Sequence, residues 1–102
     1  MLIDANLNGA LASHATFTDA DLRRANLSYA NFSNADFSNS NLQQVDFSGA
    51  NLSAVDFSGA DLTGANLYRA DLMTSNISKE QIKSTKSICH AILPDGSEGD
   101  CK

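Results

Sequence analysis

Large apolar residues recur at every fifth position along most of the chain. Taken as centres, they fall at 2, 7, 12 and onward to 82, seventeen positions in all, of which sixteen are Leu, Phe or Ile. Only Ala12 departs, and all five Phe (17, 32, 37, 47 and 57) keep the register. Two places before the centre, from 5 to 75, eleven of fifteen residues are Ala; Ser40, Val45, Val55 and Ser75 are the exceptions. Immediately before the centre, from 6 to 76, thirteen of fifteen are Asn or Asp, and Leu11 and Thr16 break the column. Fifteen consecutive units run from Ala5 to Lys79. The two places after each centre are almost all polar or Gly.

No regular element uses a period of five. On an α-helix five residues rotate by about 140°, so the centres would spiral around the cylinder without forming a stripe. On a strand the side-chain period is two, so a step of five changes face. The chain must therefore bend once per unit and wind into a coil whose centres point inward. Stacked coils bring neighbouring backbones about 4.8 Å apart. The small Ala beside each centre lets backbone approach the axis. Gly9, Gly49, Gly59 and Gly64 fall where a bend needs unusual φ, and short Asn and Asp side chains can bond backbone amides at each corner.

Composition narrows the function classes. Twelve acidic and seven basic residues leave a net charge of −5 over 102 residues. Phosphate binding needs clustered Lys and Arg, so a nucleic-acid partner is not expected. No apolar run approaches the length of a membrane span, and no membrane partner is expected. The opening Met1-Leu2-Ile3-Asp4 has neither a basic n-region nor an apolar h-region, so it does not read as a signal peptide. Asp36, Asp46, Asp56, Asp61 and Asp71 are spaced by fives and tens. Paired carboxylates can do acid–base work or bind Ca²⁺. Asn fills the same column equally well, so the requirement reads as a hydrogen-bond acceptor rather than a charge. Phosphate loops and nucleophile–base orders are missing, so no catalytic, cofactor-binding or metal-binding residue is assigned and no cofactor is expected.

These repeats resemble the pentapeptide repeat protein family, whose unit is roughly Ala-(Asp/Asn)-Leu-X-X. The resemblance covers residues 2 to about 82. It implies an all-β solenoid: a right-handed quadrilateral β-helix of about four coils, with four units per coil. Periodicity alone leaves the coil open, because a triangular coil would stack Phe17, Phe32 and Phe47 while a square one would stack Phe17, Phe37 and Phe57. The expected division is a repeat β-helix over 1–79 and a C-terminal cap over 80–102. Ser78-Lys79-Glu80-Gln81 reads as a capping box opening a short helix over about 79–87. The following Leu93-Pro94-Asp95-Gly96 is a turn signal, and a helix followed by such a segment resembles the C-terminal ends of several cyanobacterial members.

The ends and the outer surface hold the candidate sites. Leu2 and Leu7 begin the first coil with no lid, so its edge can pair with another chain or with an upstream segment. This makes self-association or an unknown protein partner the leading interaction. Arg23, Arg24 and Tyr29 are bulky and outward, as are Tyr68 and Arg69; a mixed Arg/Tyr spot can be an interaction patch, or simply a solvated face. Cys89 and Cys101 lie outside the repeat, with a spacing that fits neither a Cys-x-x-Cys pair nor a zinc knuckle. A disulfide tying the tail to the cap stands beside two free thiols as the alternative. A bridge favours an oxidising compartment, thylakoid lumen or periplasm, and free thiols favour the cytoplasm. His90 adjoins Cys89, but adjacent residues rarely converge on one site; His14 is at an outward corner far from the tail. The resulting expectation is a non-enzymatic structural or protein-interaction module. The family resemblance adds one alternative, a DNA-mimic that binds DNA gyrase as quinolone-resistance members do.

Overall fold

In the computed structural model, which describes residues 2–101, every unit bends and every fourth bend closes a coil. From Asn6 to Asn51, parallel bridges join the Asn/Asp column to the residue twenty places on: Asn6 to Asn26, Leu11 to Asn31, Thr16 to Asp36, Asp21 to Asn41 and onward to Asn51 with Asp71. The coil is therefore square. The aromatic rings agree. Phe17 and Phe37 stack at 5.0 Å and 8°, and Phe37 and Phe57 at 6.0 Å and 13°. Phe17–Phe32 and Phe32–Phe47, which a triangular coil would stack, meet edge to face at 76° and 84°.

Two sets of backbone bonds hold neighbouring coils together. The N–H of each centre donates to the next coil, as from Leu27 to the Asp46 carbonyl at 2.8 Å, and the Asn/Asp N–H donates back, as from Asp46 to the Ala25 carbonyl at 3.0 Å. A turn bond such as Ala35 N–H to the Phe32 carbonyl (2.9 Å) tightens each bend. Phe32, Phe37, Phe47 and Phe57 and the Leu centres from Leu22 to Leu72 are buried, with the Ala column packed beside them. Two places after each centre from Leu2 to Leu72 the backbone is left-handed. Glycine suits this conformation, yet Asp4, Arg24, Tyr29, Ala54, Arg69 and Thr74 adopt it too, at φ between 57° and 61°. The stacked ladder must hold these residues in a conformation that costs an isolated L-residue about 1–2 kcal/mol.

α1 (Lys79–Ser84) carries the expected capping box: the Ser78 hydroxyl accepts from Gln81 N–H, and the Gln81 side chain accepts from Ser78 N–H. The helix is shorter than the sequence suggests. Ser84 and Thr85 hydroxyls donate to the Gln81 and Ile82 carbonyls, and Lys86 N–H then rejoins the ladder by donating to the Ala65 carbonyl. α1 takes the place of a coil side beneath Phe57–Ala60. Gln81 Nε2 donates to both the Phe57 and Ala60 carbonyls, and Asn76 Oδ1 accepts from Phe57 N–H. Side chains thus supply bonds that a further coil would have supplied from its backbone.

Beyond α1 the tail does more than cover the end. Ser87 bridges Asn66, and Ile92 bridges Asp71, so two sides of the coil gain another layer. Ile88 and Leu93 act as its centres, packed on the core. The chain then turns at Pro94–Gly96, and Glu98 pairs antiparallel with Ile92. Gly99 passes so close to the Ile88 carbonyl that a Cβ would not fit.

Candidate functional site

Most of the polar column bonds the backbone of its own turn. Oδ1 of Asn26, Asn31, Asp36, Asn41, Asp46, Asn51, Asp56 and Asp61 accepts from the N–H two residues on, at 2.9–3.1 Å. Asp71 does the same for Met73 at 3.0 Å. Asn and Asp make this bond alike, as expected of an acceptor that need not be charged. Where Ser or Thr follows, its hydroxyl often donates to the same oxygen, as Ser58 does to Asp56 at 2.6 Å and Thr63 to Asp61 at 2.6 Å. These hydroxyls, followed by the backbone N–H for Asp36 and Asp56 and by the Gln43 amide for Asp61, hold the three carboxyls below the ordinary carboxylate range.

The square coil assembles one distinctive corner. Residues 9, 29, 49 and 69 stack there, and the one-residue shift after α1 puts His90 beneath them. Their N–H groups donate down the corner: Gly9 to Ser28, Tyr29 to Ser48, Gly49 to Tyr68 and Arg69 to Cys89, at 2.8–2.9 Å. Tyr29 is 70% exposed, and its ring lies over Gly49, in space a Cβ would need. Arg69 Nε donates to the Tyr68 hydroxyl at 3.1 Å, and its guanidinium sits 5.4 Å from the Tyr68 ring centroid. The Tyr68 ring meets His90 edge to face at 6.1 Å, and His90 Nδ1 bonds Glu98 Oε2 at 2.5 Å. Tyr29, Tyr68 and Arg69, named from the sequence as two separate spots, thus lie along one edge of the rod.

Arg23 and Arg24 fall elsewhere. Arg23 pairs with Asp21 at 2.7 Å. Arg24 stands at the preceding corner and pairs with Asp4, one coil back, at 3.0 Å. Leu2 and Leu7 point inward and are half-buried against the core. Leu11 stands in the outward polar column and is 90% exposed. Sequence reasoning noted its departure from the column without treating it as a candidate; the break itself was the signal.

The tail brings together three groups that the sequence left apart. Cys89 and Cys101 are in direct sulfur–sulfur contact, with Cα atoms 4.3 Å apart. The adjacent His90 places a ring nitrogen within 4.8 Å of both sulfurs. The left-handed backbone at His90 (φ 60°) and the return of the chain through the Ile92–Glu98 pairing make this convergence possible. An open groove of about 490 Å³ runs beside the pair, lined by Ile82, Lys83, Lys86 and Ile88 among others.

The sequence profile described as a pentapeptide repeat region matches residues 1–67. The chain belongs to the pentapeptide repeat family. Its fold is the right-handed quadrilateral β-helix of that family. Among solved structures, this pentapeptide repeat protein is similar to HetL, a family member involved in heterocyst differentiation regulation from the cyanobacterium Nostoc sp. strain PCC 7120. The TM-score is 0.85 at 32% identity, over 92% of this chain and 43% of HetL. It is also similar to a pentapeptide repeat protein of the Arabidopsis thaliana thylakoid lumen, with a TM-score of 0.78 at 28% identity, over 88% of this chain and 62% of that one. The chain thus spans less than two-thirds of either protein. No curated protein matches it. Among the described residues, no helix is long and apolar enough to cross a membrane.

Proposed function

We propose that this pentapeptide repeat chain is a non-enzymatic interaction module, a rigid rod that offers its Tyr29–Tyr68–Arg69 corner to a protein partner. The observation that carries this reading is the exposed Tyr29 ring, aligned with the Tyr68–Arg69 pair on a corner whose backbone is tied in every layer. Aromatic residues and Arg are the residue types that anchor protein interfaces, and a pre-ordered backbone lowers the entropic cost of binding. Residues 1–79 are the presenting rod in this reading, and 80–102 close its end. The half-buried Leu2 and Leu7 of the first coil form a second contact surface suited to self-association.

Affinity capture with the wild type, a Tyr29→Ser/Arg69→Glu variant and a Leu2→Asp/Leu7→Asp variant tests both surfaces, with sedimentation reporting self-association. Loss of a specific partner in the corner variant alone is the expected result; capture unchanged in that variant overturns the assignment of the corner. A supercoiling assay addresses the gyrase-binding alternative, and the expected outcome is no inhibition at micromolar protein. Compartment follows the tail in this reading: thylakoid lumen or periplasm with Cys89 and Cys101 joined, cytoplasm with both free. The Arabidopsis lumenal relative supports the former, and a free-thiol titration on native protein decides between them.

A further inference from the structure

We propose that Cys89, Cys101 and His90 form a redox-gated site for a thiophilic divalent cation, with Zn²⁺ as the natural occupant. The three side chains each offer one ligand atom, and those atoms lie within 4.8 Å of one another. Two thiolates and one imidazole are a donor set that suits zinc. With Zn–S bonds of about 2.3 Å, tetrahedral geometry puts two thiolate sulfurs roughly 3.8 Å apart. Sulfurs joined to each other carry no thiolate, so the site opens only when the S–S bond is broken and the two sulfurs separate. Cys101 is exposed and lies beyond the Gly99 N–H to Ala91 carbonyl bond (2.7 Å) that anchors this segment. The imidazole is already held. Glu98 Oε2 bonds Nδ1, as carboxylates commonly hold metal-ligating imidazoles, which leaves Nε2 as the nitrogen free to bind. The groove beside the two cysteines gives a reductant and an ion a way in.

The steps balance. A dithiol reductant transfers two electrons and two protons to the Cys89–Cys101 bond, closes into a cyclic disulfide itself, and leaves two thiols. Zn²⁺ then displaces both thiol protons, forms two Zn–S bonds and accepts a lone pair from His90, with water in the fourth position. Metal thus replaces the covalent tie between tail and cap in a reducing environment, and a strand-end clasp persists in either state.

The test uses the full chain reduced with a phosphine, so that no added thiol competes, and titrated with Co²⁺ as the probe. The expected result is one equivalent bound, with the thiolate charge-transfer and ligand-field bands of tetrahedral cobalt, all displaced by Zn²⁺. The oxidised chain shows no such bands. His90→Gln weakens Co²⁺ binding roughly tenfold or more. Glu98→Gln, which leaves all three ligands and the fold in place, weakens it by a smaller factor. Absence of tetrahedral bands from the reduced chain, equal binding by the oxidised chain, or unchanged affinity in both His90→Gln and Glu98→Gln would overturn the site.

Discussion

Single positions in the repeat are under different physical demands, and the departures from consensus expose them. Thr74 is β-branched yet sits at φ 61°, a conformation that crowds such a side chain. Thr74→Gly removes that strain at some cost in chain entropy, so urea unfolding should show a gain of about 0.5–1 kcal/mol. Ser75 and Ser40 both stand in the Ala column. The Ser40 hydroxyl donates to the Phe37 carbonyl at 2.6 Å, whereas the buried Ser75 Oγ has no partner. Ser75→Ala should therefore raise stability by about 1 kcal/mol, and Ser40→Ala should change it little. Equal effects in the two variants would contradict this distinction. Cys89 and His90 show where reading by residue falls short. Neighbours in sequence seldom converge on one point, and only the left-handed bend at His90 with the returning tail brings them to Cys101.

At the level of elements, α1 is a plug that imitates the next coil. Gln81 serves both the capping box and the open carbonyls of Phe57 and Ala60. Gln81→Ala removes its three side-chain bonds, leaves the Gln81 N–H to Ser78 hydroxyl bond, and should cost about 2 kcal/mol, with early loss of amide protection at the Phe57–Leu62 edge in hydrogen exchange. Protection retained there would mean that α1 does not close the coil. The capping box was legible because Ser78 and Gln81 carry its chemistry locally. The two units after it were not. α1 adds one residue to the spacing, so Ile88 and Leu93 stand one place out of phase with the centres before them, and a fixed period of five passes over them as an irregular apolar stretch. The helix end was misjudged for a related reason: long-range pairing of Lys86 with Ala65 outweighs local helical preference.

For the whole molecule, the columns of Leu, Phe, Ala and Asn or Asp made the inward-facing coil legible, because a bend at every unit is the one way to keep the centres together. The number of sides was not legible from periodicity, since Phe spaced by both fifteen and twenty fits a ladder. The outer corner was hidden for the same reason: Tyr29 and Arg69 fall on one corner, with Gly49 between them, only once a coil is known to take twenty residues. The polar columns also set the acid response. Asp36, Asp56 and Asp61 are held below the ordinary range by Ser38, Ser58 and Thr63. Lowered folded-state values mean stability that is complete above the unfolded carboxylate value of about 3.9 and lost as pH falls through the folded ones. The urea midpoint should stay flat from about pH 7 to 5 and fall below about pH 4. Asp56→Asn, which keeps the acceptor without the charge, should soften that fall and give up at neutral pH the small share of stability that the ionised carboxyl supplies.

Both the fold and the proposed working corner depend on the chain returning to the same side after twenty residues. The most direct measurement is a nuclear Overhauser contact from the Tyr29 ring. A square coil places that ring against the α protons of Gly49 and predicts a strong cross-peak between them. A cross-peak instead to Gln44, fifteen residues on, would contradict the account.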